Sequence, residues 1–173
     1  DWPHREIFNR NYSESRKPEV PSIILETMSH QNFQDMLYGH DPNFKMLYAR
    51  SIYKAIVRFV ANQHGRDYVI QPLPVSHFKA EALDSVIQLS WCSRVDSLEP
   101  TAVPNSYIIY CAREGCDFDN GTVFRPQGSD FISHSIAIPV DKDVLYRFKV
   151  TACNEGGESW PSETLAAMSA SNE

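Results

Sequence analysis

Between Val86 and Asn154 the chain repeatedly alternates apolar and polar residues, and this period of two most restricts its fold. In Val86 to Trp91 the residues Ile87, Leu89 and Trp91 share one face. In Ser106 to Arg113 the shared face is Tyr107, Ile109 and Cys111. Ile136 and Ile138 are in phase within Ser135 to Pro139, and Tyr146, Phe148, Val150 and Ala152 within Leu145 to Asn154. Side chains alternate sides along a strand, so each run has one face for a core and one for solvent. Short strands separated by turn signals indicate an antiparallel β-sandwich. Asn120-Gly121 fits a type I′ turn.

The texture before residue 71 is different. Pro21 to Glu26 (PSIILE) has three consecutive aliphatic residues, which predicts a strand covered on both faces, as in an α/β sheet. Asp41-Pro42 suits a helix start, with Asp41 as N-cap and Pro42 in the first helical position. Phe44, Leu47, Tyr48, Ile52, Ala55, Ile56, Phe59 and Val60 then recur at three- and four-residue spacing, an amphipathic stripe that Gly65 would end. Gln71-Pro72-Leu73-Pro74 separates the textures, and two prolines favour an extended linker there. The expected organisation is α+β: a partial α/β unit (strand plus long helix) over 1–70, then a seven-stranded antiparallel sandwich over 71–173.

Charge and length narrow the function classes. The chain has 173 residues and a net charge of −6 with no basic block, which disfavours nucleic acid and anionic lipid as partners. Its longest apolar run, Tyr107 to Ala112, is far short of the roughly 20 residues of a membrane span. It opens on Asp1 with no basic segment leading into an apolar one, and reads as an internal or C-terminal piece of a longer protein. Cys92, Cys111, Cys116 and Cys153 form no CxxC pair. Cys111 is in phase with the core and Cys92 and Cys153 are out of phase, so free thiols are expected. Asn11-Tyr12-Ser13 and Asn120-Gly121-Thr122 match the glycosylation sequon.

Residues 71–170 carry a resemblance. Leu89-Ser90-Trp91 resembles the second strand of a fibronectin type III domain with its core tryptophan, and Ser106 to Tyr110 resembles the third. Tyr146 to Ser159 resembles the sixth strand and following turn, and Pro161-Ser162-Glu163 the start of the last strand. The resemblance implies a sandwich centred on Trp91, with Tyr146 placing its hydroxyl against nearby backbone. Fold does not assign function. A spacer or docking unit is one expectation; glycan binding by Tyr110, Phe124, Phe131 and Trp160 is the sharper one.

Residues 12–64 carry another. Val20-Pro21-Ser22-Ile23-Ile24-Leu25-Glu26 resembles the last strand of the zinc-dependent N-acetylmuramoyl-L-alanine amidases, which ends in a catalytic glutamate. Ser29 to Met36 resembles the stretch after it, and Asn43 to His64 the terminal helix. Thr27-Met28 replaces the family's usual Gly-Phe. The resemblance implies Glu26 as the proton-transferring carboxylate beside a zinc-bound water. His30 would be a substrate contact near it.

The family's zinc ligands lie on earlier strands, so this chain is expected to hold no metal or other cofactor, to be inactive alone, and to leave zinc to a longer parent. His4, His30, His40 and His64 show no HExxH spacing.

Three readings follow. One is a fragment of an exported bacterial cell-wall hydrolase that cleaves the amide between a muramic sugar and its stem peptide. The second is a non-catalytic accessory or binding module for peptidoglycan, another glycan or a protein. The third makes residues 1–70 a helical accessory in which Ile23 to Leu25 is no central strand. Self-association through an orphan strand is expected under the first.

Overall fold

The computed structural model describes residues 7–127 and 132–170. Two compact units divide the chain within a long helix, one ending at Ile52 and the other beginning at Tyr53.

The first unit contains α1 (Ser13–Arg16), α2 (Phe33–His40) and the start of α3 (Pro42–Gln63). Asn32 caps α2 by accepting from the Gln34 N–H at 3.0 Å. Asp41 caps α3 in the same way, through the Asn43 N–H at 2.9 Å. The helix start thus follows the Asp-Pro signal, and Gly65, at φ +58°, ends the helix as expected.

The strand expected over 21–26 does not form. Residues 21–29 have no regular structure, and Ile23, Ile24 and Leu25 are all exposed. A strand requires a neighbour for its backbone N–H and C=O groups, and residues 7–52 supply no second strand. No described residue of this unit is buried, so its many aliphatic side chains build no core of their own.

The second unit is the sandwich. Its strands are β1 (Ser76–Leu83), β2 (Val86–Cys92), β3 (Ser106–Arg113), β4 (Thr122–Phe124), β5 (Ser133–Pro139), β6 (Leu145–Asn154), β7 (Gly157–Glu158) and β8 (Leu165–Met168). One sheet has the order β1-β2-β5 and the other β4-β3-β6-β7, with β8 also pairing β6; all pairs are antiparallel.

The last strand starts later than expected: Pro161-Ser162-Glu163 has no regular structure and β8 begins at Leu165, while the two-residue β7 falls in the expected turn. Between β7 and β8, Ser159 and Ser162 accept the Ala152 and Val150 N–H groups with their hydroxyls, at 2.9 and 3.0 Å. Pro161 lies between the two serines and cannot donate to a ladder.

The alternation read from the sequence becomes the core. Phe78, Ile87, Leu89 and Trp91 from one sheet meet Tyr107, Ile109, Phe148, Val150 and Ala152 from the other. Each full burial of such a side chain contributes about 1.5–3 kcal/mol. Cys111 packs at the core margin. Tyr146 Oη accepts from the Asp141 N–H at 3.3 Å, the backbone anchor its position implied.

Asn120-Gly121 makes no type I′ turn. Only Gly121, at φ +79°, has the left-handed backbone that both central positions of that turn need. Asp119 organises the loop instead, its Oδ1 accepting from the N–H groups of Cys111 and Gly121, each at 3.0 Å. Gly121 lies so close to β3 that a Cβ would overlap the Ile108 side chain and come within 2.9 Å of Tyr110 Cε1.

The second unit also owns the end of α3. Lys54 donates to Asp96 at 2.9 Å, Arg58 donates to Glu99, and Gln71 N–H reaches Tyr53 Oη at 3.4 Å. The held face is therefore Tyr53, Lys54, Val57, Arg58 and Ala61. The apolar stripe expected to face the core does not do so: Ile56, Phe59 and Val60 are exposed. Charge pairing fixes the rotation of this segment, which hydropathy periodicity alone does not encode.

Residues 70–75 are packed as well. Ile70, Pro72 and Val75 are buried, and Asn154 Nδ2 donates to the carbonyls of Ile70, Thr101 and Val103 at 2.9, 3.2 and 3.3 Å.

Candidate functional site

The residues named from the sequence separate in space. Glu26 is exposed and lines an open cleft of about 1260 Å³ with Arg10, Tyr12, Arg16, Ile24 and Leu25. His30 is exposed and is not part of that cleft. Among the described residues no group of three or more His, Cys, Asp or Glu is placed to hold a metal ion. Zinc chemistry at Glu26 thus has no ligand set among these residues.

The four aromatic candidates also part company. Phe124 belongs to the interior: its ring centroid lies 5.2 Å from Trp91 and 6.4 Å from Tyr107. The glycan-platform role is corrected there, because strand pairing of Tyr107 with Phe124 sends both rings inward. Phe131 lies outside the described residues. Tyr110 and Trp160 remain on the surface, Trp160 with 64% exposure.

Tyr110 sits on the outer face of the β4-β3-β6-β7 sheet, directly across from Lys149. Outward residues alternate with core residues along both strands, so Tyr110, Arg147, Lys149 and Thr151 share this face. The Lys149 ammonium lies 5.0 Å from the Tyr110 ring centroid and 4.4 Å from that of Phe118. Arg147 lies 5.5 Å from the Phe118 centroid and donates to the Cys116 carbonyl at 2.8 Å. Two cations are therefore held against aromatic faces, an arrangement stabilised by the ring quadrupole. Phe118, in the loop after β3, was missed by strand alternation because it belongs to no strand.

Glu158 closes the other side of the face. Its Oε1 accepts from Tyr110 Oη–H and from Thr151 Oγ1–H, each at 2.7 Å. That hydrogen bond, with burial and the carboxylate charge added, pushes the Tyr110 phenol up to about 12. Burial, and then Glu158, push the Cys153 thiol up as well. Trp160 follows Glu158 by two positions; Ser159 between them is buried, so alternation puts Glu158 and Trp160 on the outer side.

A buried polar cluster lies elsewhere in the sandwich. His134 Nε2 is 2.9 Å from Tyr107 Oη and 3.0 Å from Ser93 Oγ, and Tyr107 also bonds Ser93. Burial pushes the Tyr107 phenol up, and the Ser93 bond opposes it. This cluster ties the β2 end to β5 and is closed to a ligand by burial.

No family model and no curated protein matches the chain. Solved structures similar to it include the twitchin kinase region from C. elegans, at 21% identity and a TM-score of 0.46, covering 58% of this chain and 17% of that one. Another is the third fibronectin III domain of the human KIAA0343 protein, at 13% identity and a TM-score of 0.45, covering 60% of this chain and 86% of that one. A third is the fn3 domain of human contactin 1, at 19% identity and a TM-score of 0.43, covering 57% and 78%. The chain thus spans well under two thirds of the twitchin region. Among the described residues no helix is long and apolar enough to cross a membrane.

Proposed function

We propose that this chain is a non-catalytic binding module of an exported protein that handles peptidoglycan or another polysaccharide. The observation that carries this reading is the outer sheet face, where Tyr110, Phe118 and Lys149 interleave beside Glu158 and exposed Trp160. Aromatic surface offers sugars apolar contact, and fixed polar groups beside it orient hydroxyls. The hydrolase reading lacks comparable support, since Glu26 and His30 are exposed and share no cleft. Self-association through exposed Ile23, Ile24 and Leu25 belongs to the hydrolase reading, and sedimentation velocity at rising concentration checks it.

The direct test is retention of the purified chain on insoluble polysaccharides, peptidoglycan included. Retention is expected, with Tyr110→Ala and Trp160→Ala each weakening it about tenfold, as anchoring aromatics do at binding surfaces. Absence of retention, or retention unchanged in both variants, contradicts the proposal.

A further inference from the structure

We propose that the ligand of the outer sheet face is an anionic glycan, whose carboxylates pair with Lys149 and Arg147. This rests on the binding reading above and adds the chemical class.

Charge complementarity carries it. The chain as a whole has a net charge of −6, yet this face presents two cations close together on β6. Neither Lys149 nor Arg147 is spent on a carboxylate in the ion pairs of the described residues; those pairs use Lys54, Arg58, Arg113 and Lys142. Both lie instead over rings, Lys149 between Tyr110 and Phe118 and Arg147 on Phe118.

A cation over an aromatic face keeps its positive charge and has part of its hydration removed in advance. Holding it there also lowers the ordering cost of meeting an anion. Three acids, Asp117, Asp119 and Glu158, lie near the face and keep their charge; Glu158 Oε1 is turned to two hydroxyls and Asp119 Oδ1 to two backbone N–H groups, not to Lys149 or Arg147. The aromatic surface beside the two cations favours a sugar ring as the carrier of the ligand carboxylate.

The test compares polygalacturonate with its fully methyl-esterified form, which keeps the sugar chain and removes the charge. Calorimetric titration of the full chain is expected to show binding to the acid form about tenfold tighter, and weakening as salt rises. Lys149→Gln should abolish the difference, and Lys149→Arg should retain it. Arg147→Gln provides a second variant should Lys149→Gln fail to fold, as judged by circular dichroism.

Equal affinity for the two forms, unaffected by Lys149→Gln, overturns the anionic class and leaves the glycan reading standing. Binding of polyglutamate as tight as that of polygalacturonate assigns the face to acidic polypeptides and overturns the sugar. No binding to either polysaccharide by the folded chain overturns this inference; if retention on every insoluble polysaccharide fails as well, the binding reading falls with it.

Discussion

Arg58, on the last turns of α3, donates to Glu99, whose side chain is only 1% exposed in the β2–β3 loop. Thr101 Oγ1–H donates to the other Glu99 oxygen at 2.8 Å, and Thr101 Oγ1 accepts the Ile70 N–H at 3.1 Å. One buried carboxylate thus ties the helix, the connection at residue 70 and a sandwich loop together. Burial alone would raise the Glu99 carboxyl, but the bonds from Thr101 and Arg58 outweigh it and hold the carboxyl below its usual range.

A pH dependence follows from that shift. The unfolded carboxyl, near 4.5, takes a proton before the folded one does. The stabilisation is therefore present above about 4.5 and is lost as pH falls through the lowered folded value. Thermal melts between pH 6 and acid conditions (about pH 3) should show this loss, and Glu99→Gln should flatten it. A variant with the same acid slope as the parent contradicts the assignment.

Asn154 and Gly156 should both be intolerant of alanine. Asn154→Ala leaves the carbonyls of Ile70, Thr101 and Val103 without this donor, a loss of about 1–3 kcal/mol. Gly156→Ala drives a Cβ to 2.7 Å from Ile70 C and 2.8 Å from Gln71 N, against backbone that is itself packed, for about 1–3 kcal/mol. Urea midpoints at unchanged slope measure both.

Trp91 is 1% exposed and its indole N–H has no hydrogen-bond partner among the described residues. Its worth is therefore packing, against Tyr107, Phe124 and His134. Trp91→Ala should destabilise by about 3–5 kcal/mol. Trp91→Phe removes only part of the ring and an unsatisfied donor, and should cost clearly less in denaturant unfolding.

Tyr110 should ionise late. Ultraviolet difference titration is expected to place its phenolate near 12, and Glu158→Gln should move it back toward 10. An unchanged titration in the variant removes Glu158 as the cause.

Amide hydrogen exchange should split the chain. Residues 7–52 bury nothing, whereas Ile87, Leu89, Phe148 and Val150 are fully enclosed. Amides around Ile23 to Leu25 should exchange early and those of β2, β3 and β6 last, because protection follows buried, paired backbone. Slow exchange at 21–26 in dilute monomer contradicts this.

What the sequence decided by itself was local. The period of two over 86–91, 106–113 and 145–154 specified which side chains face inward, because pleating fixes alternation whatever the partner strand. Asp41-Pro42 and Gly65 likewise set the ends of α3 through the chemistry of helix termini.

What only the tertiary structure decided depends on partners far along the chain. PSIILE reads as a strand, but a strand exists only where a neighbour takes its hydrogen bonds, and the described chain supplies none. Phe124 reads as a surface aromatic until its register opposite Tyr107 turns it inward. The stripe of α3 reads as a core face until Lys54 and Arg58 find Asp96 and Glu99 some forty residues away and fix its rotation. Phe118, Lys149 and Glu158 become one surface only when β3, β6 and β7 align, because register brings together residues that spacing keeps apart.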